Sequence, residues 1–184
     1  MHGLVCSKFQ EFYISNFGLR EWDQFAKKAG IDTHFELTKS YSDKMFMRIL
    51  VMALEIHKLN ARETLESFGK FLTPFLLKLY QPKDDWTTLD LLEHTESEIH
   101  ATVRMRDRNA APPRLQIKRW DRDEVEIRYN SPRNIPFLGI GIIKGLAEHY
   151  NELDRIEIKA RKLKEKSYSI RVLRLKRPAY QAVI

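Results

Sequence analysis

Tyr129, Ser131 and Arg133 place a phenol, a hydroxyl and a guanidinium at alternate positions of the stretch Tyr129-Asn130-Ser131-Pro132-Arg133. In an extended chain alternate residues share a face and rise about 3.3 Å each, so the three would span roughly 13 Å. Pro132 fixes its own φ and pushes Ser131 out of the helical region, which favours extension. A row of donors closed by a cationic fork suits an anion with several oxygens, such as carboxylates or a phosphate. The same pattern also describes an edge strand whose polar face meets water, and a motif this short recurs by chance. A second candidate is His100, on an apolar stretch beside Ile99 and Val103. Taken alone it reads as a core or boundary histidine with one hydrogen bond. The rigid pair Pro112-Pro113 stands between the two.

Other chemistries find little support. None of the 6 histidines pairs with another at metal-ligand or catalytic spacing, and His94 and His100, six apart, face different sides of a helix. There is no His-Glu-x-x-His, no glycine-rich phosphate loop and no nucleophile elbow, which counts against a hydrolase or a nucleotide enzyme. The single Cys6 excludes an internal disulfide, a multi-cysteine zinc site and covalent haem attachment, and reads as a small buried apolar residue. Residues 1–100 carry 12 Lys/Arg against 15 Asp/Glu, residues 101–184 carry 20 against 10. That basic half could attract nucleic acid, an anionic membrane or an acidic protein, and charge alone does not choose. Over 155–177, however, the cations alternate with Ile156, Ile158, Ile170 and Val172, as on the wet face of a sheet. Charged residues interrupt the apolar runs Met45 to Ile56 and Ile135 to Ala147, so neither spans a membrane. The start lacks a signal-peptide pattern, and a cytoplasmic location is expected.

The elements that must position these groups follow from period and capping. Leu4, Phe9, Phe12 and Tyr13 mark a helix ending near Gly18, and Trp22, Phe25 and Ala29 one ending at Gly30. Ser42 caps a helix over Asp43 to Leu59. Asn60 with Glu63 starts the next, which Pro74 is expected to bend or break. A helix from Thr87 or Thr88 to about Met105 carries Leu89, Leu92, Glu96, Ile99 and Val103 on one side. After a loop from Asp107 to Pro113 the period becomes alternating. Leu115 and Ile117 form a strand, Asp121-Arg122-Asp123 a turn, and Val125, Ile127 and Tyr129 the next strand. A helix over Ile135 to Tyr150 follows, bare on one side at Gly139, Gly141 and Gly145. Two strands close the chain, about Arg155 to Leu163 and Ser167 to Lys176, with a parity slip between Val172 and Leu173 that predicts a bulge. Helices followed by ββαββ predict an α+β fold with a four-stranded antiparallel sheet packed on helices.

A helix histidine, a Pro-Pro-Arg-Leu segment twelve residues on and Tyr-x-Ser-x-Arg after the next hairpin occur here in one order. With the start Met-His-Gly-Leu-Val, Tyr41-Ser42-Asp43, Phe68-Gly69 and the glycine-dotted helix, the chain resembles the haem-nitric oxide/oxygen-binding (H-NOX) domains, bacterial relatives of the haem domain of soluble guanylate cyclase, over essentially its whole length. The resemblance implies one domain over 1–184, with a distal helical part (1–60), a proximal part with the sheet (61–184), and non-covalent haem b buried between them. It implies that His100 is the iron ligand, that Tyr129, Ser131 and Arg133 bind the two propionates, and that Pro113 presses on the porphyrin. A buried porphyrin's carboxylates need compensation, which a phenol, a hydroxyl and a bidentate guanidinium provide. One imidazole leaves the sixth position of ferrous iron open to a diatomic gas.

Oxygen-binding members of that family have a distal tyrosine, and its equivalent here is Leu138. By the same alignment Val5, Phe9, Leu72, Leu76 and Ile142 are distal neighbours, and none donates a side-chain hydrogen bond. Bound dioxygen gathers negative charge and gains about 1.5–3 kcal/mol from such a donor, whereas nitric oxide binds without one. The expectation is therefore an NO sensor with weaker CO binding and little O2 binding. The resemblance implies a sensor and not an enzyme, in which NO weakens the bond opposite to it, His100 releases the iron, and the haem and the helix carrying it relax. No catalytic module follows Ile184, so the signal is expected to pass to a separate protein, in bacteria a histidine kinase or a cyclic-di-GMP enzyme. Three alternatives stay open: a basic module binding nucleic acid or an acidic protein, an enzyme using Tyr129 and Arg133 on a phosphorylated substrate, and the same fold with another ligand or none.

Overall fold

Capping side chains set the limits of the helices in the computed structural model, which describes residues 1–106 and 111–176. Helix α1 (Gly3–Phe17) starts at His2, whose Nδ1 accepts the Leu4 N–H, and ends at Gly18. Helix α2 (Leu19–Ala29) is stopped by Gly30, which adopts the left-handed conformation at φ 60° that glycine reaches without strain. The Ser42 hydroxyl accepts the Met45 N–H and opens α3 (Asp43–Ile56). This helix ends before the expected Leu59, because Lys58 turns to φ 52° and the Leu59 N–H bonds back to the Leu54 carbonyl. The Asn60 side chain accepts the Glu63 N–H at the head of α4 (Ala61–Tyr80).

Pro74 does not break α4, which runs through it to Tyr80. Next to it, the Thr73 hydroxyl donates to the Gly69 carbonyl at 3.0 Å and approaches the Ile142 carbonyl at 3.4 Å, holding this stretch to the neighbouring helix. A Thr87/Asp90 capping box opens α5 (Thr88–His94). The helix then widens into a π-helical segment, Thr95–His100, before resuming as α6 (Ala101–Arg106). The single expected helix is thus present in extent but carries a change of pitch at His100. Of the expected loop from Asp107 to Pro113, residues 107–110 lie outside the described residues.

The remainder is β1 (Arg114–Asp121), β2 (Glu124–Asn130), α7 (Pro136–His149), β3 (Ile156–Lys164) and β4 (Ser167–Arg174). All neighbours in the sheet are antiparallel, in the order β1-β2-β4-β3, as the α+β reading required. The expected bulge at Val172/Leu173 is absent. Val172 stays opposite Val125 and Leu173 opposite Glu124, so Leu173 simply faces away from the core. The irregularities fall instead between Arg119 and Asp121 and between Lys162 and Lys164. At the edge of the sheet the last residues of β3, Lys159 to Lys164, are exposed on both faces, so the alternation expected of a wet face is confined to the buried Ile170 and Val172 of β4 beside the exposed Arg171. No described helix is long and apolar enough to cross a membrane.

Two cores result. In the first, α1 to α4 meet around Phe9, which packs edge-on to Phe46 and Phe68 at 5.6 and 5.5 Å, with Tyr13, Trp22 and Phe25 in the same cluster. Cys6 is sealed into this core, and burial pushes its thiol up to about 12. In the second, Leu89 and Leu92 of α5 and Ile140, Ile143 and Leu146 of α7 cover Val125, Ile127, Ile170 and Val172 of the sheet. Helix α4 explains why α7 is bare on one side. A Cβ on Gly141 would sit 2.1 Å from the Glu66 carbonyl oxygen, and one on Gly69 2.3 Å from that of Leu138, so the two backbones touch there. At Gly139 a Cβ would meet nothing.

Gly141→Ala should therefore force the helices apart and destabilise by about 1–3 kcal/mol, read as a lower Tm in thermal denaturation. Gly139→Ala should leave Tm unchanged or raise it, since alanine is the better helix former by roughly 0.5–1 kcal/mol. Equal losses at both positions would mean that α4 and α7 do not meet backbone to backbone.

Candidate functional site

His100 is the last residue of the π segment and is mostly buried. Its Nδ1 lies 2.9 Å from Oε2 of Glu96, whose other oxygen accepts from Arg104 Nη2 at 2.6 Å. The Leu115 N–H at the start of β1 also donates to Glu96 Oε2, at 3.2 Å. Burial alone would raise the Glu96 carboxyl, but the hydrogen bonds from His100 and Arg104 hold it below the usual carboxylate range. Burial lowers His100, and Glu96 only partly opposes this. The pair is thus a carboxylate and a neutral imidazole at pH 7. A carboxylate can only accept, so the imidazole proton sits on Nδ1 and Nε2 keeps its lone pair.

The Tyr129 to Arg133 stretch differs from the expected extended edge. Strand β2 stops at Asn130, and the Asn134 N–H bonds to the Ser131 carbonyl at 3.1 Å, closing a turn. The alternation survives nonetheless: Tyr129, Ser131 and Arg133 are buried while Asn130, Pro132 and Asn134 are exposed. Burial pushes the Tyr129 phenol up, with hydrogen bonding by Ser131 and by the Ile135 backbone opposing it, so it remains a neutral donor. The Ser131 hydroxyl accepts the Arg133 N–H at 3.3 Å. Arg133 Nη1 donates to both oxygens of Asp43 at 2.9 and 3.1 Å, and Nη2 to the Ala111 carbonyl. The Met1 amino group donates to the same Asp43 at 2.8 Å. Burial would raise Asp43, but these cationic donors outweigh it and hold the carboxyl below its ordinary value.

A cavity of about 390 Å³ lies between the two cores, within the roughly 300–1,000 Å³ range of ligand sites. His100, Pro113, Leu115 and Val103 form one side. Val5, Leu72, Leu76, Leu138 and Ile142, all expected there, line it from α1, α4 and α7. Tyr129 and Arg133 also line it. Two expected residues do not. Phe9 is enclosed in the first core, held by Phe46 and Phe68, and Ser131 lies behind Tyr129 and Arg133 with no exposed surface. Several lining residues were not anticipated, among them His2, Tyr80, Leu92 and Thr102. Tyr80 falls one turn beyond Leu76 on the same stripe of α4, a spacing that could have flagged it. The role of Asp43 left no trace beyond its place in the Tyr-Ser-Asp segment, because its partner is ninety residues away.

These residues fit haem. The walls are mainly apolar, Gly139 leaves open space on the α7 wall, and an imidazole with a free Nε2 faces into the same space as a phenol and a guanidinium. His100 would hold an iron, and Tyr129 and Arg133 would meet acid tails. Among the described residues no group of three or more His, Cys, Asp or Glu side chains could hold a bare metal ion.

Residues 2–159 match the haem-NO-binding family. The fold is similar to that of an H-NOX protein from S. oneidensis in its Fe(II)NO ligation state, with TM-score 0.84 and 17% identity over 96% of this chain and 100% of that one. It is also similar to the Fe(II) unliganded H-NOX protein from K. algicida, with TM-score 0.86 and 18% identity over 98% and 100%, and to a mutant of the T. Tengcongensis H-NOX, with TM-score 0.83 and 19% identity over 98% and 100%. No curated protein sequence matches.

The Asp43–Arg133 pair sets a pH dependence. Because the folded-state pKa of Asp43 is depressed, its contribution is fully present above the unfolded value near 4 and is lost as pH falls through the lower folded value. Asp43→Asn should cost about 1–3 kcal/mol at pH 7, at the lower end because the carboxylate is partly exposed. In urea titrations the gap between the wild type and Asp43→Asn should close below about pH 4. A gap that persists at pH 2 would mean that the ion pair is not its origin.

Proposed function

The chain belongs to the haem-NO-binding family, the H-NOX proteins, and from that premise we propose that it binds ferrous haem b and senses nitric oxide. The observation that carries the reading is the cavity between the two cores, which His100, Tyr129 and Arg133 all line. Haem bound there would supply an iron able to take a diatomic gas. His100 would hold that iron through Nε2. Tyr129 and Arg133 take the propionates through charge-assisted bonds, and Ser131 supports both from behind. Pro113, which lines the cavity just before β1, would press on the ring. The chain acts as one domain, with residues 1–60 as its distal part and the rest as its proximal part.

Selectivity for NO over O2 rests on the distal wall. Val5, Leu72, Leu76, Leu138 and Ile142 offer no hydrogen bond to a bound gas. Tyr80, the last residue of α4, and His2, whose Nδ1 accepts the Leu4 N–H, also line the cavity and are the donors to test. A sensor of this kind is not itself catalytic. Its signal passes from the His100 segment to a separate protein, a histidine kinase or a cyclic-di-GMP enzyme, and the site is expected to work in the cytoplasm of a bacterium.

Absorption spectra of the reduced protein under argon, air, CO and NO provide the test. The expected result is a Soret band that shifts with NO and with CO but not with air, and that requires His100: His100→Gly should lose the five-coordinate ferrous spectrum. Leu138→Tyr should gain an oxygen complex. Protein that stays colourless with hemin defeats the haem reading. An oxygen complex in the wild type that disappears in Tyr80→Phe or His2→Leu would place a donor where the selectivity argument has none.

A further inference from the structure

This inference rests on the haem reading and concerns a residue that reading leaves unused. We infer that Glu96 is the positioning residue of the proximal imidazole, fixing which nitrogen of His100 faces the cavity and setting how strongly that nitrogen donates, with Arg104 as a counterweight. Glu96 precedes His100 by four residues, and within the π segment the two side chains meet, Oε2 to Nδ1 at 2.9 Å. A carboxylate on Nδ1–H draws the proton toward itself and leaves more electron density at Nε2, the carboxylate–histidine–metal arrangement that raises ligand basicity.

Two further contacts hold the carboxylate in place. Its Oε1 takes the Arg104 guanidinium at 2.6 Å, and its Oε2 takes the Leu115 N–H at 3.2 Å as well as His100. Both Glu96 and Arg104 sit on the segment that carries His100, whereas Leu115 begins the strand just after Pro113. Glu96 therefore ties the imidazole to the piece of chain that carries the other proximal contact. Each competing donor draws charge from the carboxylate and weakens its pull on the His100 proton. The donor strength of Nε2 is then the outcome of a contest between Arg104 and His100 for one carboxylate.

Resonance Raman spectra of the haem-loaded, reduced, gas-free protein read this contest as the iron–histidine stretching frequency. Glu96→Gln keeps the shape and an acceptor oxygen but removes the charge, so the band should move to lower frequency. Glu96→Asp should recover part of the shift. Arg104→Gln should move the band the opposite way, to higher frequency, which a merely structural role for Glu96 would not produce. Haem transfer from Glu96→Gln to a haem acceptor protein should be about 10- to 100-fold faster than from the wild type. An unmoved band in Glu96→Gln, or shifts of the same sign in Glu96→Gln and Arg104→Gln, overturns the inference while leaving the haem reading intact. A wild type that takes up no haem defeats the haem reading itself, and the inference with it.

Discussion

The Arg133 guanidinium joins the two halves of this molecule, and most of the site's geometry follows from its needs. It cannot shed its proton, so burial obliges it to find acceptors. It leaves the sheet half just after β2 and reaches Asp43 in the first turn of α3 and the carbonyl of Ala111 beside Pro112-Pro113. One side chain thereby registers the helical core, the sheet core and the segment leading into β1. Because the cavity lies where these three meet, an anion entering it competes with Asp43 for the same fork.

Much of this could be read from local chemistry. Ser42, Asn60 and Gly30 cap where their side chains or backbone freedom said they would, and the switch of period after residue 113 located the sheet. What failed was decided by tertiary contacts. Pro74 keeps its helix because α4 is packed against α7 beside it, which no window of sequence reveals. Leu173 looked like a slipped register because an apolar side chain on the outer face of a sheet breaks parity as a bulge does. Phe9 was aligned to the cavity, but the rings of Phe46 and Phe68 claim it for the core.

The π segment is the deepest of these omissions. Counted at 3.6 residues per turn, Leu89, Leu92, Glu96, Ile99 and Val103 form one stripe. In the structure the wider turn divides them: Leu92 and Val103 face the cavity, Ile99 packs toward the sheet, and Glu96 turns to His100. Residue types do not encode a single wide turn, since its hydrogen bonds are offset by one residue and its cost is borne by packing elsewhere. A glutamate four residues before a histidine on a helix also reads as an ordinary solvated pair. Burial of the imidazole is what sets this pair apart.

The two walls of the cavity are held by different means, and this determines where the fold can yield. On the distal side α4 and α7 touch backbone to backbone at Gly69 and Gly141, and Thr73 fills the notch at Gly145, so neither helix can shift without opening a gap or a clash. On the other side His100 belongs to a chain of short pieces, a two-turn helix, a π segment and another short helix, tied to β1 by Glu96, which accepts the Leu115 N–H, and by Arg119, which donates to Asp90 and Glu93. Each such hydrogen bond is worth about 1–3 kcal/mol and can break by itself, whereas the interlocked backbones of α4 and α7 must part together. The α4–α7 wall is therefore the stiff one, and the short pieces that carry His100 are where the fold can yield.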